Sequence, residues 1–88
     1  MNHSSKQNIQ LVIRQRDKLI FEGEAKAFSS YNEKGIFDVI AEHANFVSVI
    51  TTSFMIHKTD GTSQETKIEE GIVRVYNNKV NVYLGIGG

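Results

Sequence analysis

Apolar and polar residues alternate with a period of two along most of this chain, which predicts β-strands. Ile9, Leu11 and Ile13 alternate with Gln10, Val12 and Arg14. Gln15-Arg16-Asp17-Lys18 is a polar turn, and the short apolar run Leu19-Ile20-Phe21 stops at Glu22-Gly23. Residues 24–31 alternate again, with Ala25, Ala27, Ser29 and Tyr31 on one face and Lys26, Phe28 and Ser30 on the other. The small residues of the first face predict close sheet packing there. Asn32-Glu33-Lys34-Gly35 reads as a turn in which Gly35 is free to take a positive φ.

Residues 36–40, 46–50 and 51–58 read as three further strands, the last carrying Phe54 and Ile56. Asp60-Gly61 is a hairpin signal, and residues 63–68 form a polar, edge-like strand. Glu69-Glu70-Gly71 is expected to turn the chain. Residues 72–76 and 79–84 flank Asn77-Asn78, a two-residue hairpin loop because asparagine tolerates the left-handed conformation. The sum is eight or nine short strands, with a single helical turn near residues 41–46 as the helical candidate. The expected fold is all-β, a small two-sheet antiparallel β-sandwich. The expected organisation is one domain over residues 9–86, a disordered polar tail over 1–8 and a short tail at 87–88. With no proline in the chain, edge protection is left to lysine and glutamate.

Composition narrows the functions. Eighty-eight residues suit one small domain, and the absence of cysteine excludes disulfides and thiol chemistry. Lys plus Arg and Asp plus Glu number 10 each, so no electrostatic pull toward nucleic acid is expected. No apolar run approaches the ~18 residues of a membrane span. The opening residues lack the apolar core of a secretory signal and the arginines of a transit peptide.

Candidate chemistry is sparse. His3, His43 and His57 lie in separate segments with no ligand spacing between them, so no metal site is expected. His43 reads as a corner residue that bonds backbone groups or meets a partner, and His57 as a solvent-facing strand residue. Asp38 and Glu42 could converge near the corner, and Glu69 and Glu70 are adjacent, but acid–base work needs a concave pocket that a small sandwich rarely has. Ser29, Ser30 and Ser48 lie in strands without the context of an activated nucleophile. Phe21, Phe28, Phe37 and Phe54 are expected in the core, and Phe46 either in the core or as an exposed anchor. Neither cofactor nor catalytic residue is expected, and docking is the favoured role.

Three features carry a family resemblance. The opening runs from Leu11-Val12-Ile13 to Leu19-Ile20-Phe21-Glu22-Gly23. The stretch Gly35-Ile36-Phe37-Asp38-Val39-Ile40-Ala41-Glu42-His43-Ala44-Asn45-Phe46 follows, and the hairpins at Asp60-Gly61 and Asn77-Asn78 enclose Gly71-Ile72. Together they resemble the N-terminal β-sandwich domain of the F-type ATP synthase epsilon subunit (the mitochondrial delta) over roughly residues 9–86. The long stretch is similar to the family's Gly-x-Leu-Gly-Ile-x-Pro-x-His-Ala-Pro-Leu, with Ala41 and Asn45 in place of both prolines, and Asp38 and Glu42 in place of glycines. Those replacements are expected to loosen the corner.

The resemblance implies a non-catalytic part of the central stalk, coupling the gamma subunit to the c ring of a proton- or sodium-translocating synthase. By carry-over, His43, Ala44, Asn45 and Ser48 would face gamma. Asn32, Glu33, Lys34, Gly35 and Ile36 would face the c ring. The family's two C-terminal helices, which regulate ATP hydrolysis and in some members bind ATP, have no counterpart in these residues. The implied location is the bacterial cytoplasm, peripheral to the inner face of the cell membrane through the complex, with no membrane insertion and a monomer in isolation. The alternative is a stand-alone β-sandwich interaction module that kept the fold and left the synthase.

Overall fold

The computed structural model describes residues 8–85. They form seven strands: β1 (Ile9–Gln15), β2 (Lys18–Ala25), β3 (Ala27–Asn32), β4 (Gly35–Ile40), β5 (Phe46–His57), β6 (Ser63–Tyr76) and β7 (Lys79–Leu84). Hydrogen bonds join them in one sheet of order β2-β1-β7-β6-β5-β3-β4. Every pair is antiparallel except β1 with β7, which run parallel. The expected two-sheet sandwich is thus made from one continuous sheet that serves both layers. The expected tail at residues 1–8 lies outside the described residues save for Asn8, and so do His3 and residues 86–88.

Two strands make this possible. β5 and β6 are 12 and 14 residues long, each replacing two of the expected strands. Their pairing slips between Thr51 and Ser53, where Thr52 takes φ 78°. A bulge bends a strand and sharpens its twist. The bend divides the sheet into a first layer (β2, β1, β7, residues 71–76 of β6 and 46–50 of β5) and a second (β4, β3, residues 53–57 of β5 and 63–67 of β6). Glu69-Glu70-Gly71 does not turn the chain but continues as strand. Gly71 is required there because a Cβ would lie 2.8 Å from the Tyr83 carbonyl oxygen.

One core lies between the layers. The first contributes Ile9, Leu11, Ile13, Val73, Val80 and Val82, all fully buried, and the second contributes Phe28, Val39, Phe54 and Ile56. The expected packed face of residues 24–31 is reversed. Phe28 and Ser30 point into the core, while Ala27 and Tyr31 are half-buried on the outer surface. Ala25 belongs to β2, across the bend at Lys26. Phe28 and Phe54 stack with ring centres 5.8 Å apart. Phe21 and Phe37 are half-buried at the rim rather than central.

Both expected hairpin loops form. Asn77 and Asn78 have φ 50° and 66°, the left-handed pair that a two-residue loop demands. At the other, Gly61 takes φ 91° and the Lys58 N–H donates to the Thr62 carbonyl oxygen at 2.8 Å.

Candidate functional site

The corner between β4 and β5 holds no helical turn; it is an irregular crossing from one layer to the other. Glu42 takes φ 70° there. Side-chain bonds tie the corner to a neighbouring loop. The Asn78 side-chain oxygen accepts the Glu42 N–H at 2.7 Å, and the Asn45 side-chain oxygen accepts the Asn77 N–H at 3.0 Å. The corner is therefore tied to the β6–β7 hairpin rather than loosened. His43 donates Nδ1–H to the Ala44 carbonyl oxygen at 2.7 Å, and its ring lies 5.0 Å from that of Phe46. Phe46 also meets Phe37 edge-on at 5.8 Å, which makes it a rim residue of the core rather than an exposed anchor.

The nine residues singled out for partners fall into two neighbouring places. His43, Ala44 and Asn45 form the corner, with Ala44 and Asn45 exposed. Ser48 does not join them through any hydrogen bond; its Oγ accepts the Asn32 side-chain N–H at 3.3 Å. Asn32 caps the β3–β4 hairpin, taking the Lys34 N–H on Oδ1 at 2.9 Å. Glu33, Lys34, Gly35 and Ile36 are exposed around that hairpin. One hydrogen bond thus links the two expected partner surfaces.

A polar cluster that sequence reasoning missed lies on the outer face of the second layer. Register sets Ser29 directly opposite Asp38, and Ala27 opposite His57. The Ser29 hydroxyl donates to Asp38 Oδ1 at 2.5 Å and lies 2.9 Å from His57 Nε2. His57 Nδ1 lies 3.1 Å from the Ser63 hydroxyl. A carboxylate can only accept, so the single Ser29 proton goes to Asp38, and His57 Nε2–H must donate to Ser29 Oγ. In the neutral imidazole, Nδ1 then accepts from Ser63. Nucleophilic catalysis requires the opposite direction, with the histidine accepting the serine proton. This arrangement positions a carboxylate; it does not activate a hydroxyl. Asp38 bonds Ser29, and no hydrogen bond among the described residues joins it to Glu42.

The cluster floors an open hollow of about 360 Å³, walled by Tyr31, Ile36, Ile40 and Met55 and rimmed by Glu65. A larger open cleft of about 820 Å³ lies between the layers at the bend, where Arg16, Lys67, Glu69 and Glu70 mix with Ile20 and Phe54. Among the described residues, no group of three histidines or carboxylates is placed to hold a metal ion. No helix among them is long and apolar enough to cross a membrane.

Comparison with known proteins is consistent across sequence and structure. The family described as "ATP synthase, Delta/Epsilon chain, beta-sandwich domain" matches residues 8–84, all seven strands. The ATP synthase epsilon chain of Clostridium botulinum is 32% identical over 68 residues, 76% of this chain and 51% of the relative. That of Ruminococcus albus is 32% identical over 59 residues, 67% of this chain and 44% of the relative. The chain therefore spans about half the length of the curated relatives it matches. Among solved structures, a chain of the Euglena gracilis mitochondrial ATP synthase superposes with a TM-score of 0.83 at 18% identity, covering 89% of this chain and 51% of that one. A chain of the Tetrahymena thermophila mitochondrial ATP synthase central stalk and c ring gives 0.76 at 14% identity, covering 92% and 66%. These two likenesses show the shared fold.

Proposed function

The chain belongs to the delta/epsilon β-sandwich family of ATP synthases, and on that footing we propose that it is a non-catalytic central-stalk subunit of an F-type synthase. Its work is mechanical: it couples the gamma subunit to the c ring, so that rotation driven by protons or sodium ions reaches the catalytic head. The observation that carries this reading is the family match across the entire sandwich, combined with sequence similarity to bacterial epsilon chains. A close-packed core suits torque transmission because it is nearly incompressible.

In this reading His43, Ala44, Asn45 and Ser48 face gamma, and Asn32, Glu33, Lys34, Gly35 and Ile36 face the c ring. The ties from the corner to the Asn77–Asn78 loop support the first assignment, since a docking corner held at a fixed angle transmits force. The subunit sits at the inner face of a bacterial cell membrane through the complex, and by itself it is a monomer.

Affinity isolation from the native cells, with mass spectrometry of everything recovered, tests the reading. Recovery of gamma, alpha, beta and c subunits is the expected result. Recovery of the chain alone, or with unrelated proteins, overturns it in favour of a stand-alone interaction module. In the same isolation a bulky charge at the corner, His43→Glu, is expected to lower the yield of gamma while circular dichroism stays unchanged. Normal recovery would remove the corner from the interface.

A further inference from the structure

The two end strands of the sheet are protected very differently. β2, at one end, carries Lys18, Glu22 and Glu24, the charges that discourage another strand from adding. β4, at the other end, reads Gly-Ile-Phe-Asp-Val-Ile and has a single charge, Asp38. Ile36 and Ile40 on either side of it are 66% and 57% exposed.

The backbone of β4 is open as well. Its hairpin with β3 closes on the pair Asn32 and Gly35. In an antiparallel ladder alternate residues turn their N–H and C=O inward, so Gly35, Phe37 and Val39 bond β3. Ile36, Asp38 and Ile40 turn theirs outward. The Ile40 carbonyl, which accepts the His43 N–H at 3.1 Å, follows that outward parity. The remaining outward groups form an unpaired template. The side chains of the same three residues share the outer face of the sheet, beside the hollow floored by Ser29 and His57. Ser29 bonds one oxygen of Asp38, a residue that is exposed as a whole. Glu65 lies in the same cross-strand row, beyond Met55, so the row is acidic at both ends.

We propose that the β4 edge takes up an extended segment of a partner protein as an eighth strand, and that this segment has the pattern apolar-x-basic-x-apolar. The basic side chain lies opposite Asp38, and the two apolar side chains lie opposite Ile36 and Ile40. Main-chain bonds supply the attachment, and the charge at the centre sets register and partner choice. A second copy of this chain fits poorly. Two-fold pairing centred on Asp38 opposes two carboxylates, and pairing centred on Phe37 sets each carboxylate against Ile36. The proposal shares Ile36 with the c-ring-facing set but is centred on Asp38 and Ile40, further along β4 than the hairpin tip, so the peptide titration tests it without the rotor assignment.

The probe is a seven-residue peptide with threonine at odd positions and valine, lysine, valine at the even ones; its control carries glutamate for lysine. Both are titrated into the full chain and followed by amide chemical shifts and hydrogen exchange. The lysine peptide is expected to bind roughly tenfold more tightly than the control. It should shift and protect the amides of Ile36 and Asp38, while those of Phe37 and Val39, already bonded, change little. Asp38→Asn should erase the preference for lysine. Ile40→Lys, at an exposed position that folding tolerates, should abolish binding of the lysine peptide. Equal binding of both peptides, shifts that map to β2 or to no strand, or normal binding by Ile40→Lys would each overturn the proposal. So would protection of β4 without peptide in a species of doubled mass.

Discussion

The layer that carries β1, β2 and β7 is packed with Ile9, Leu11, Ile13, Val73, Val75, Val80 and Val82, and none of its buried residues is polar. The layer that carries β3 and β4 is packed with the stacked rings of Phe28 and Phe54, and it holds the three buried polar residues found among the described residues, Ser29, Ser30 and Ser53. Aliphatic side chains of similar size fill a flat interface by many small, interchangeable contacts. In the second layer two large stacked rings take that place, and each is harder to replace than a single aliphatic side chain. Ser30, 1% exposed, donates to the Ser53 carbonyl oxygen at 2.7 Å. Ser53 in turn donates to Glu65 at 3.1 Å, and Ser29 to Asp38. The first layer is thus a generic half of a sandwich. The second is specific, and its outer face presents the carboxylate and the open edge.

The largest test of this contrast is a pair of truncations. Phe28→Ala removes one of the stacked rings, and its expected cost is about 3–5 kcal/mol. Val80→Ala, equally buried in the first layer, should cost about 2 kcal/mol. A domain of this size is stable by on the order of 5–10 kcal/mol, so the first variant should be near its unfolding threshold and the second well folded. Urea denaturation of both decides it. Equal losses would mean that the layers are packed alike.

Gly71 tests how the layers are joined. It lies in β6 just past the bend, and a Cβ would come within 2.8 Å of the Tyr83 carbonyl oxygen and 2.9 Å of Leu84 Cδ2. Backbone cannot step aside as a flexible side chain can, so Gly71→Ala should cost about 1–3 kcal/mol. The amide shifts should cluster at β7, in the first layer, and spare Phe28 and Phe54. A neutral substitution, or shifts spread through the second layer, would mean that the crossing is not held where the structure has it.

That glycine also marks where the sequence was hardest to interpret. Glu69-Glu70-Gly71 has the composition of a turn, yet the glycine serves close approach to β7 and the acids face solvent on a continuing strand. Residues 46–58 divide in the same way, because the bulge at Thr52 shifts which side chains face inward and makes one bent strand look like two. Local signals fared better. Asn77, Asn78 and Gly61 take the positive φ that their loops need, a preference carried by the residue types themselves. Part of the polar cluster was within reach. A two-residue hairpin closing on Asn32 and Gly35 forces Ser29 opposite Asp38, since the paired numbers share one sum. The place of His57 depends on the pairing of β3 with β5, which no turn between them dictates. The corner misled in the other direction. Its lost prolines implied looseness, and its asparagine bonds arise from residues more than thirty positions away.

The smallest expected effect separates the two hairpin loops. The first layer's loop is built on Asn77 and Asn78, which do not titrate. The second layer's loop is built on Asp60, whose Oδ1 accepts the Thr62 hydroxyl at 2.6 Å and the Thr62 N–H at 2.9 Å. Those two bonds, the hydroxyl first, hold its carboxyl below the ordinary aspartate range, with Lys58 helping. A depressed folded value means that the folded state binds its proton later than the unfolded chain as pH falls. The loop's contribution is therefore complete above about pH 4, the ordinary aspartate value, and declines as pH falls through the folded value. Asp60→Asn keeps an accepting oxygen but no charge, so the difference in stability between parent and variant should shrink as pH drops below about 4. Asp60 is fully exposed, which keeps the effect small and makes matched denaturation curves at neutral and acid pH the right measurement. A difference that stays constant with pH would show that the carboxylate's charge does nothing for the loop. The two hairpins would then differ in sequence only, and the specificity of the second layer would end at its outer face.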